Sequence, residues 1–345
     1  MSSTGTVLVT GGTGFVATFC IARLLTDGSR VRTTVRDSKR APDVRTAVER
    51  LAPGSAARLD IVECDLSRDD GWRDAASGCD RVLHVASPFP AVAPKHDDDV
   101  VRPAREGTLR VLTAARDAGV SRVVLTSSTA ANCYGRGGRS VPFTEADWSD
   151  PTNLADSSAY ERSKTLAERA AWDWLEREGG DLELTAVNPG AILGPVVSAD
   201  LSTSIVIVRS LLEGAVPVVP RFGWPLVDVR DVADLHVRAM TAPEAAGQRY
   251  IGAGPFYWMS DVARVLRTRV PELAKRVPKG TIPSWLLRTI GRFDPLLRDR
   301  MYELDAFRPV SAHKAKTELG WEPRSNDEAI VATAESLARD GLVRA

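Results

Sequence analysis

Short β-branched runs alternate with longer amphipathic stretches from the start of the chain. Thr6–Thr10 is the first run of strand type, Arg30–Val35 the second and Leu59–Val62 the third. Arg81–Val85, Arg122–Thr126 and Leu182–Val187 continue the series. The stretches between them have helical length. In 108–118, for example, Leu109, Leu112, Ala115 and Ala118 fall at helical spacing. Strands that alternate with helices predict parallel βαβ units, and hence an α/β fold built on a doubly wound parallel sheet of Rossmann type.

The rhythm changes after Asn188-Pro189-Gly190. Pro195, Pro217, Pro220 and Pro225 interrupt the pattern, so a smaller substrate lobe is expected over about 190–225 and again over about 253–325. The nucleotide-binding body is then 1–189 plus about 226–252, where Val227–Met240 and Gln248–Ile251 read as returns to the main sheet. A last amphipathic helix, about Asn326 to Asp340, carries Ala329, Ile330, Thr333 and Leu337 along one side and is expected to pack on the body. The glycine-rich segment 135–139 reads as the flexible loop.

Composition adds limits. With 345 residues, 43% hydrophobic and 26% charged, the chain suits one large α/β domain with a second lobe. Its 45 basic and 45 acidic residues cancel, so neither nucleic acid nor an anionic membrane is indicated as a partner. No apolar run reaches the roughly 20 residues that span a bilayer. Cys20, Cys64, Cys79 and Cys133 have no metal-type spacing, and a strand beginning at Thr6 leaves no room for a secretory segment. Free thiols, no metal and a cytoplasmic location are the expectations.

Candidate chemistry begins at Thr10–Ala17, directly after the first strand. Gly11 permits a tight turn, and Gly14 leaves the following helix N-terminus open to a pyrophosphate. Arg36 ends the second strand, where a carboxylate would hold the ribose of NAD and an arginine the 2′-phosphate of NADP. Asp37 competes for the ribose role, but its side chain should point to the opposite side of an extended segment. Lys39 and Arg40 follow, either on the phosphate or as a solvated charge run. Asp65 ends the third strand, facing adenine or capping a helix. His84 reads as a packed core histidine. Ser127 and Ser128 tip the fifth strand at its carboxyl end, where ligands of open α/β sheets bind. Ser128 is the better placed to meet Tyr160. Tyr160 and Lys164 stand four apart, on one face of a helix. An ammonium there is expected to lower the tyrosine pKa towards working pH.

Taken together, these segments resemble an extended short-chain dehydrogenase/reductase, and more narrowly the dihydroflavonol reductase and aldehyde/ketone reductase branch. The similarity extends through 106–108, 187–190, 227–233 and 314–321, and so covers nearly the whole length. It implies a Ser128, Tyr160, Lys164 triad and an NADP(H) cofactor preferred over NAD(H). Cofactor contacts are implied from Gly11, Thr13, Gly14, Phe15, Val16, Arg36, Lys39, Asp65, Leu66, Val85, Ala86, Ser87, Thr126, Tyr160, Lys164 and Pro189. Ser128 and Tyr160 would bond the substrate carbonyl oxygen while nicotinamide C4 delivers hydride to the carbon, and Tyr160 would then donate a proton. Lys164 would hold the nicotinamide ribose.

The family also contains sugar-nucleotide epimerases and dehydratases. Dehydratases place an Asp-Glu pair after the hydroxyl residue, where this chain has Thr129-Ala130. Tyr134-Gly135 resembles an epimerase feature one residue out of register. The Asn-Trp-Tyr signature of cinnamoyl-CoA reductases is missing from 156–160. Reduction of a ketone or aldehyde is the reading left, with an epimerase/dehydratase or a catalytically silent NADP-binding regulator as alternatives. Pro88, Phe89, Ile192, Val196, Phe222 and Trp224 are candidates to line a pocket for a hydrophobic or aromatic carbonyl compound, or else belong to the lobe core. The protein is expected to be a monomer or homodimer.

Overall fold

The computed structural model describes residues 5–87 and 96–343, without the side chains of Pro295 and Leu296. Seven parallel strands form the main sheet: β1 (Thr6–Val9), β2 (Arg30–Val35), β3 (Leu59–Glu63), β4 (Arg81–His84), β5 (Arg122–Thr126), β6 (Glu183–Pro189) and, after a detour, β9 (Arg249–Gly252). Their spatial order is β3-β2-β1-β4-β5-β6-β9. The detour contains β7 (Ala191–Leu193) and β8 (Gly223–Asp228), and β10 (Phe256–Trp258) follows β9. These three form a small sheet in the order β10-β8-β7.

Side-chain alternation explains why the main sheet is covered on both faces. Val7 and Val9 of β1 enter one apolar core, while Leu8 between them enters the other. Val124 of β5 and Val187 of β6 join the first core, whereas Val123, Leu125 and Leu184 join the second. Strands buried on both faces belong to a parallel sheet sandwiched by helices, as the sequence reading expected. The first core includes helices Phe15–Thr26 and Val229–Thr241, and the second includes Asp98–Asp117 and Ala159–Glu178.

Three features depart from the sequence reading. Of 227–240, only Val227 and Asp228 are strand, and they belong to β8 of the small sheet. The rest is the helix Val229–Thr241, capped by the Asp228 side chain, which accepts from Arg230 N. Only Arg249–Gly252 rejoins the main sheet. The closing helix Asn326–Arg339 packs mostly within the second lobe and meets the body at its C-cap, where Asp340 pairs with Arg50 at 2.8 Å. Its Ala329, Ile330, Ala334 and Leu337 complete the core of the second lobe with Val208, Leu211 and Leu266. Instead, Ala312, Ala315, Leu319 and Trp321 contribute the late apolar residues of the body core.

The third departure is the glycine-rich loop, which is tied down. Arg139 N donates to Phe307 O at 2.8 Å, and Gly137 N donates to the Asp156 carboxylate at 2.7 Å. Gly135 and Gly138 lie tight against the backbone of Asp150 and Phe307, while Gly137 takes a left-handed φ of +67° in open space. All four cysteines are buried and unpaired. No helix among the described residues is long and apolar enough to cross a membrane.

Candidate active site

The order of strands reverses between β1 and β4, and the chain ends of these two strands are bound to each other. Val85 N and Ala86 N donate to Thr10 Oγ1 at 3.1 and 2.9 Å. With both acceptor sites of that hydroxyl used, its proton goes to His84 Nδ1 at 2.9 Å. His84 is therefore a neutral core residue, and burial followed by the nearby Lys164 charge pushes its pKa down to about 3. Gly11, between the strand and the helix, has φ +76°, and a Cβ there would stand 2.9 Å from the Ala86 Cβ. Gly11→Ala is expected to cost about 1–3 kcal/mol in a denaturant melt, because both the backbone conformation and the space forbid a side chain. An unchanged midpoint would contradict this.

The loop suits a dinucleotide. Gly14 is exposed at the N-cap of Phe15–Thr26, the cap has no side-chain hydrogen bond, and the first turn has no acidic residue. The first-turn amides thus face the cleft without competition from a capping side chain or a negative charge. Thr13 is half-buried beside them, and Phe15 and Val16 pack their side chains on the body core.

The far end of this groove is polar. Arg36 is exposed beyond β2. Asp37 is already engaged, since it caps the next turn by accepting from Lys39 N at 2.9 Å. Arg40 pairs with Asp43 at 2.5 Å and with Asp200 at 2.8 Å, while the Lys39 side chain is exposed. Asp65 Oδ1 accepts from both Ser67 N and Ser67 Oγ at 2.8 Å. These bonds lower its pKa, with smaller contributions from Arg68 and Arg36, so Arg36 lies within electrostatic reach of Asp65. Leu66 packs under Gly107 of the helix Asp98–Asp117.

The reacting end is built where β5 and β6 run out. Ser127 N donates to Val187 O at 2.8 Å and Thr129 N donates to Pro189 O at 2.9 Å, which carries the pairing past the last strand residue. Ser127 and Ser128 then diverge. Ser127 Oγ turns inward to Glu168 at 2.5 Å. Ser128 faces Tyr160 and hydrogen-bonds to it. The Thr126 hydroxyl also points away from the groove. His236 Nδ1–H donates to Val232 O at 2.8 Å, leaving Nε2 to accept from Thr126 Oγ1 at 2.7 Å.

Tyr160 lies in the first turn of Ala159–Glu178. A capping box fixes that turn: Tyr160 N donates to Ser158 Oγ at 3.2 Å, and Ser158 N donates to Glu161 Oε2 at 2.7 Å. Lys164 follows one turn later. Both side chains are half-buried. Burial pushes the Tyr160 pKa up to about 12, against the lowering effect of the Ser128 hydrogen bond. Burial pulls Lys164 down to about 8, against Glu168. The expected lowering of the tyrosine pKa by its lysine is therefore not what this geometry gives. Desolvation outweighs the Ser128 hydrogen bond at Tyr160 and the Glu168 charge at Lys164, and Tyr160 remains a proton donor at neutral pH.

The pocket candidates scatter. Val196 is 1% exposed and takes the alternative place, in the core of the second lobe, with its amide donating to Ser336 Oγ. Ile192 packs on the body core. Phe222 and Trp224 are partly buried with ring centroids 6.5 Å apart. Pro88 and Phe89 lie outside the described residues. Sequence reasoning missed a cluster supplied by 302–308. Tyr302 and Tyr160 both pack against the cluster of Ala130, Cys133, Tyr134 and Phe143. Glu303, 3% exposed, accepts from Tyr134 Oη at 2.8 Å, Trp224 Nε1 at 3.2 Å and Arg308 Nη1 at 3.1 Å. A groove of about 470 Å³ lined by Arg139, Asp156, Leu304 and Phe307 shares Tyr302 with this cluster.

Burial raises the Glu303 pKa from the ordinary 4.5 to about 7, with Arg308 opposing. A raised carboxyl pKa favours the protonated native state. Its contribution is full below the unfolded value and is lost as pH rises through about 7. Glu303→Gln should flatten the decline of Tm between about pH 5 and 8, and a profile parallel to that of the native protein would contradict the assignment.

The NAD dependent epimerase/dehydratase family model matches residues 7–252. The chain belongs to this family. Among its relatives is tetraketide alpha-pyrone reductase 2 of Arabidopsis thaliana, 34% identical over 270 residues that cover 76% of this chain and 82% of the relative. Dihydroflavonol 4-reductase of Zea mays is 32% identical over 277 residues, covering 79% and 76%. Among solved structures, yeast methylglyoxal/isovaleraldehyde reductase Gre2 complexed with NADPH superposes with a TM-score of 0.79 at 28% identity, covering 98% of this chain and 100% of that one. The resemblance to the reductase branch read from the sequence is thus borne out.

Proposed function

We propose that this protein reduces a ketone or aldehyde to the alcohol with NADPH, in a reversible reaction centred on Ser128, Tyr160 and Lys164. The observation that carries the reading is the Ser128–Tyr160 hydrogen bond at the carboxyl edge of the sheet, with Lys164 one turn along the same helix. Reductase relatives, one of them an NADPH complex, support the same cofactor.

NADPH, when bound, supplies the hydride for the carbonyl carbon. Ser128 and Tyr160 offer two O–H donors to the oxygen on which negative charge grows, which stabilises the transition state above the ground state. Tyr160 then releases its proton to that oxygen. Its pKa of about 12 keeps it in the acid form until the alkoxide develops. The Lys164 ammonium would hold the nicotinamide ribose and offset the tyrosinate left behind. Asp37 and Arg40 are engaged locally, which leaves Arg36 and Lys39 for a 2′-phosphate. Tyr302 packs against the same small cluster as Tyr160, and a ring beside the proton donor favours a hydrophobic or aromatic substrate over a phosphosugar.

Purified protein should oxidise NADPH in the presence of aryl ketones and aldehydes and leave a UDP-sugar unchanged. Turnover of the sugar with no net cofactor oxidation would overturn the proposal in favour of epimerisation. The reduction rate should decline above about pH 8, where Lys164 loses its proton.

A further inference from the structure

Glu168 stands one helical turn beyond Lys164 and is 1% exposed. Its carboxylate gathers donors from three strand ends and its own helix. Ser127 Oγ, after β5, donates at 2.5 Å. Asn188 Nδ2 in β6 donates at 2.8 Å. Arg249 in β9 donates through Nε at 2.6 Å and Nη2 at 3.3 Å, and Trp172 Nε1 at 3.4 Å. The same Asn188 amide also donates to Ser128 O at 3.1 Å, so one side chain links Glu168 to the backbone of the residue that meets Tyr160. Lys164 and Glu168 line one small cavity together with Ser87, Thr108, Thr126 and Ser127.

A buried ion pair such as Glu168–Arg249 is no stability device in itself. Desolvating two charges costs about as much as their attraction returns, and apolar residues of similar volume often serve as well. The carboxylate calls for another role, and its contacts supply one. We propose that Glu168 is a positioning residue for the reacting groups: it clamps the Ser127–Ser128 strand tip to the helix and gives the Lys164 ammonium a buried counter-charge. The proposal rests on the reading of Ser128, Tyr160 and Lys164 given above.

Few charges face Lys164. Its own helix supplies Tyr160 and Glu168, and β4 supplies His84, which is neutral. Thr108 from the helix Asp98–Asp117 and Thr126 and Ser127 from the end of β5 bring only hydroxyls. Arg249 reaches Glu168 from β9 and offsets part of its charge. Burial disfavours the Lys164 ammonium and Glu168 favours it. Removing the carboxylate leaves burial unopposed.

The test is kcat/KM for NADPH-dependent carbonyl reduction across pH in the native protein, Glu168→Gln, the double variant Glu168→Met with Arg249→Met, and Ser127→Ala. Glu168→Gln and the double variant should move the alkaline limb down by about one pH unit. Both should also raise KM for NADPH at the upper end of the range by about tenfold, as the ammonium is lost. The double variant removes both members of the Glu168–Arg249 pair and leaves no uncompensated arginine, so a shifted limb there reports the lost counter-charge of Lys164 and not a stranded guanidinium. Ser127→Ala keeps the charge, and should lower kcat several-fold without moving the limb. A folded Glu168 variant with the native limb and native KM overturns the proposal. If neither Glu168 variant folds, unchanged kcat in Ser127→Ala overturns it. Tyr160→Phe separates the two readings. Activity retained in that variant sinks the reaction assignment, whereas activity lost there with unaltered Glu168 variants sinks only the positioning role.

Discussion

Tyr160→Phe is expected to lower kcat/KM for carbonyl reduction by about 10³-fold while NADPH still binds. The phenol is asked to do two things, and phenylalanine can do neither. It donates a hydrogen bond to the oxygen as charge develops, and it delivers the proton that completes the alcohol. The fold should tolerate the change. The Tyr160 ring packs partly buried against a cluster that includes Ala130, Phe143 and Tyr302, and phenylalanine keeps that surface. Ser128→Ala removes one donor only and should cost about 10²-fold. Steady-state NADPH oxidation, paired with cofactor titration by fluorescence, measures both terms. A phenylalanine variant with more than about a tenth of native turnover would remove Tyr160 from the chemistry, because general acid catalysis alone contributes more than that.

How much of this could be read beforehand depends on where each group sits in the chain. Strands β1 to β6 carry β-branched runs set between helical stretches, so the sheet and its glycine loop are visible in the residue pattern. Ser128, Tyr160 and Lys164 lie at the ends of those regular elements and inherit their legibility. Glu168 lies four residues past Lys164, but an acidic residue on a helix carries no signal until its burial is known. Tyr302, Glu303 and Arg308 had no such handle. They come from an irregular stretch after short helices, and only tertiary packing brings them to Tyr134 and Trp224. For the same reason the sequence leaves Val196 open between pocket and lobe core, and the partner of the closing helix unsettled. An apolar face predicts burial, and several partners were available to bury it. The tyrosine pKa differs from the expectation because spacing reports which charges are near, while desolvation depends on everything else that surrounds them.

Arg36→Ala should raise KM for NADPH by about 10- to 100-fold and leave KM for NADH nearly unchanged. The position follows β2, at the end of the groove away from the serine and tyrosine, and the side chain is exposed. A guanidinium there can grip a 2′-phosphate with two parallel N–H donors, and a charge-assisted contact of this kind is worth about 1.5–3 kcal/mol. The neighbouring acid offers no rival preference. Asp37 spends its carboxylate on Lys39 N, which fixes the turn after the strand rather than presenting an oxygen to a ribose hydroxyl. Arg40, the other candidate cation, is held between Asp43 and Asp200. Lys39 is the other exposed cation of this turn, so Lys39→Ala should show a smaller effect in the same direction. The ratio of kcat/KM for the two cofactors is the quantity to measure, because a general loss of stability or catalysis cancels from it. Equal losses with NADPH and NADH would mean that Arg36 supports the loop and does not read the phosphate.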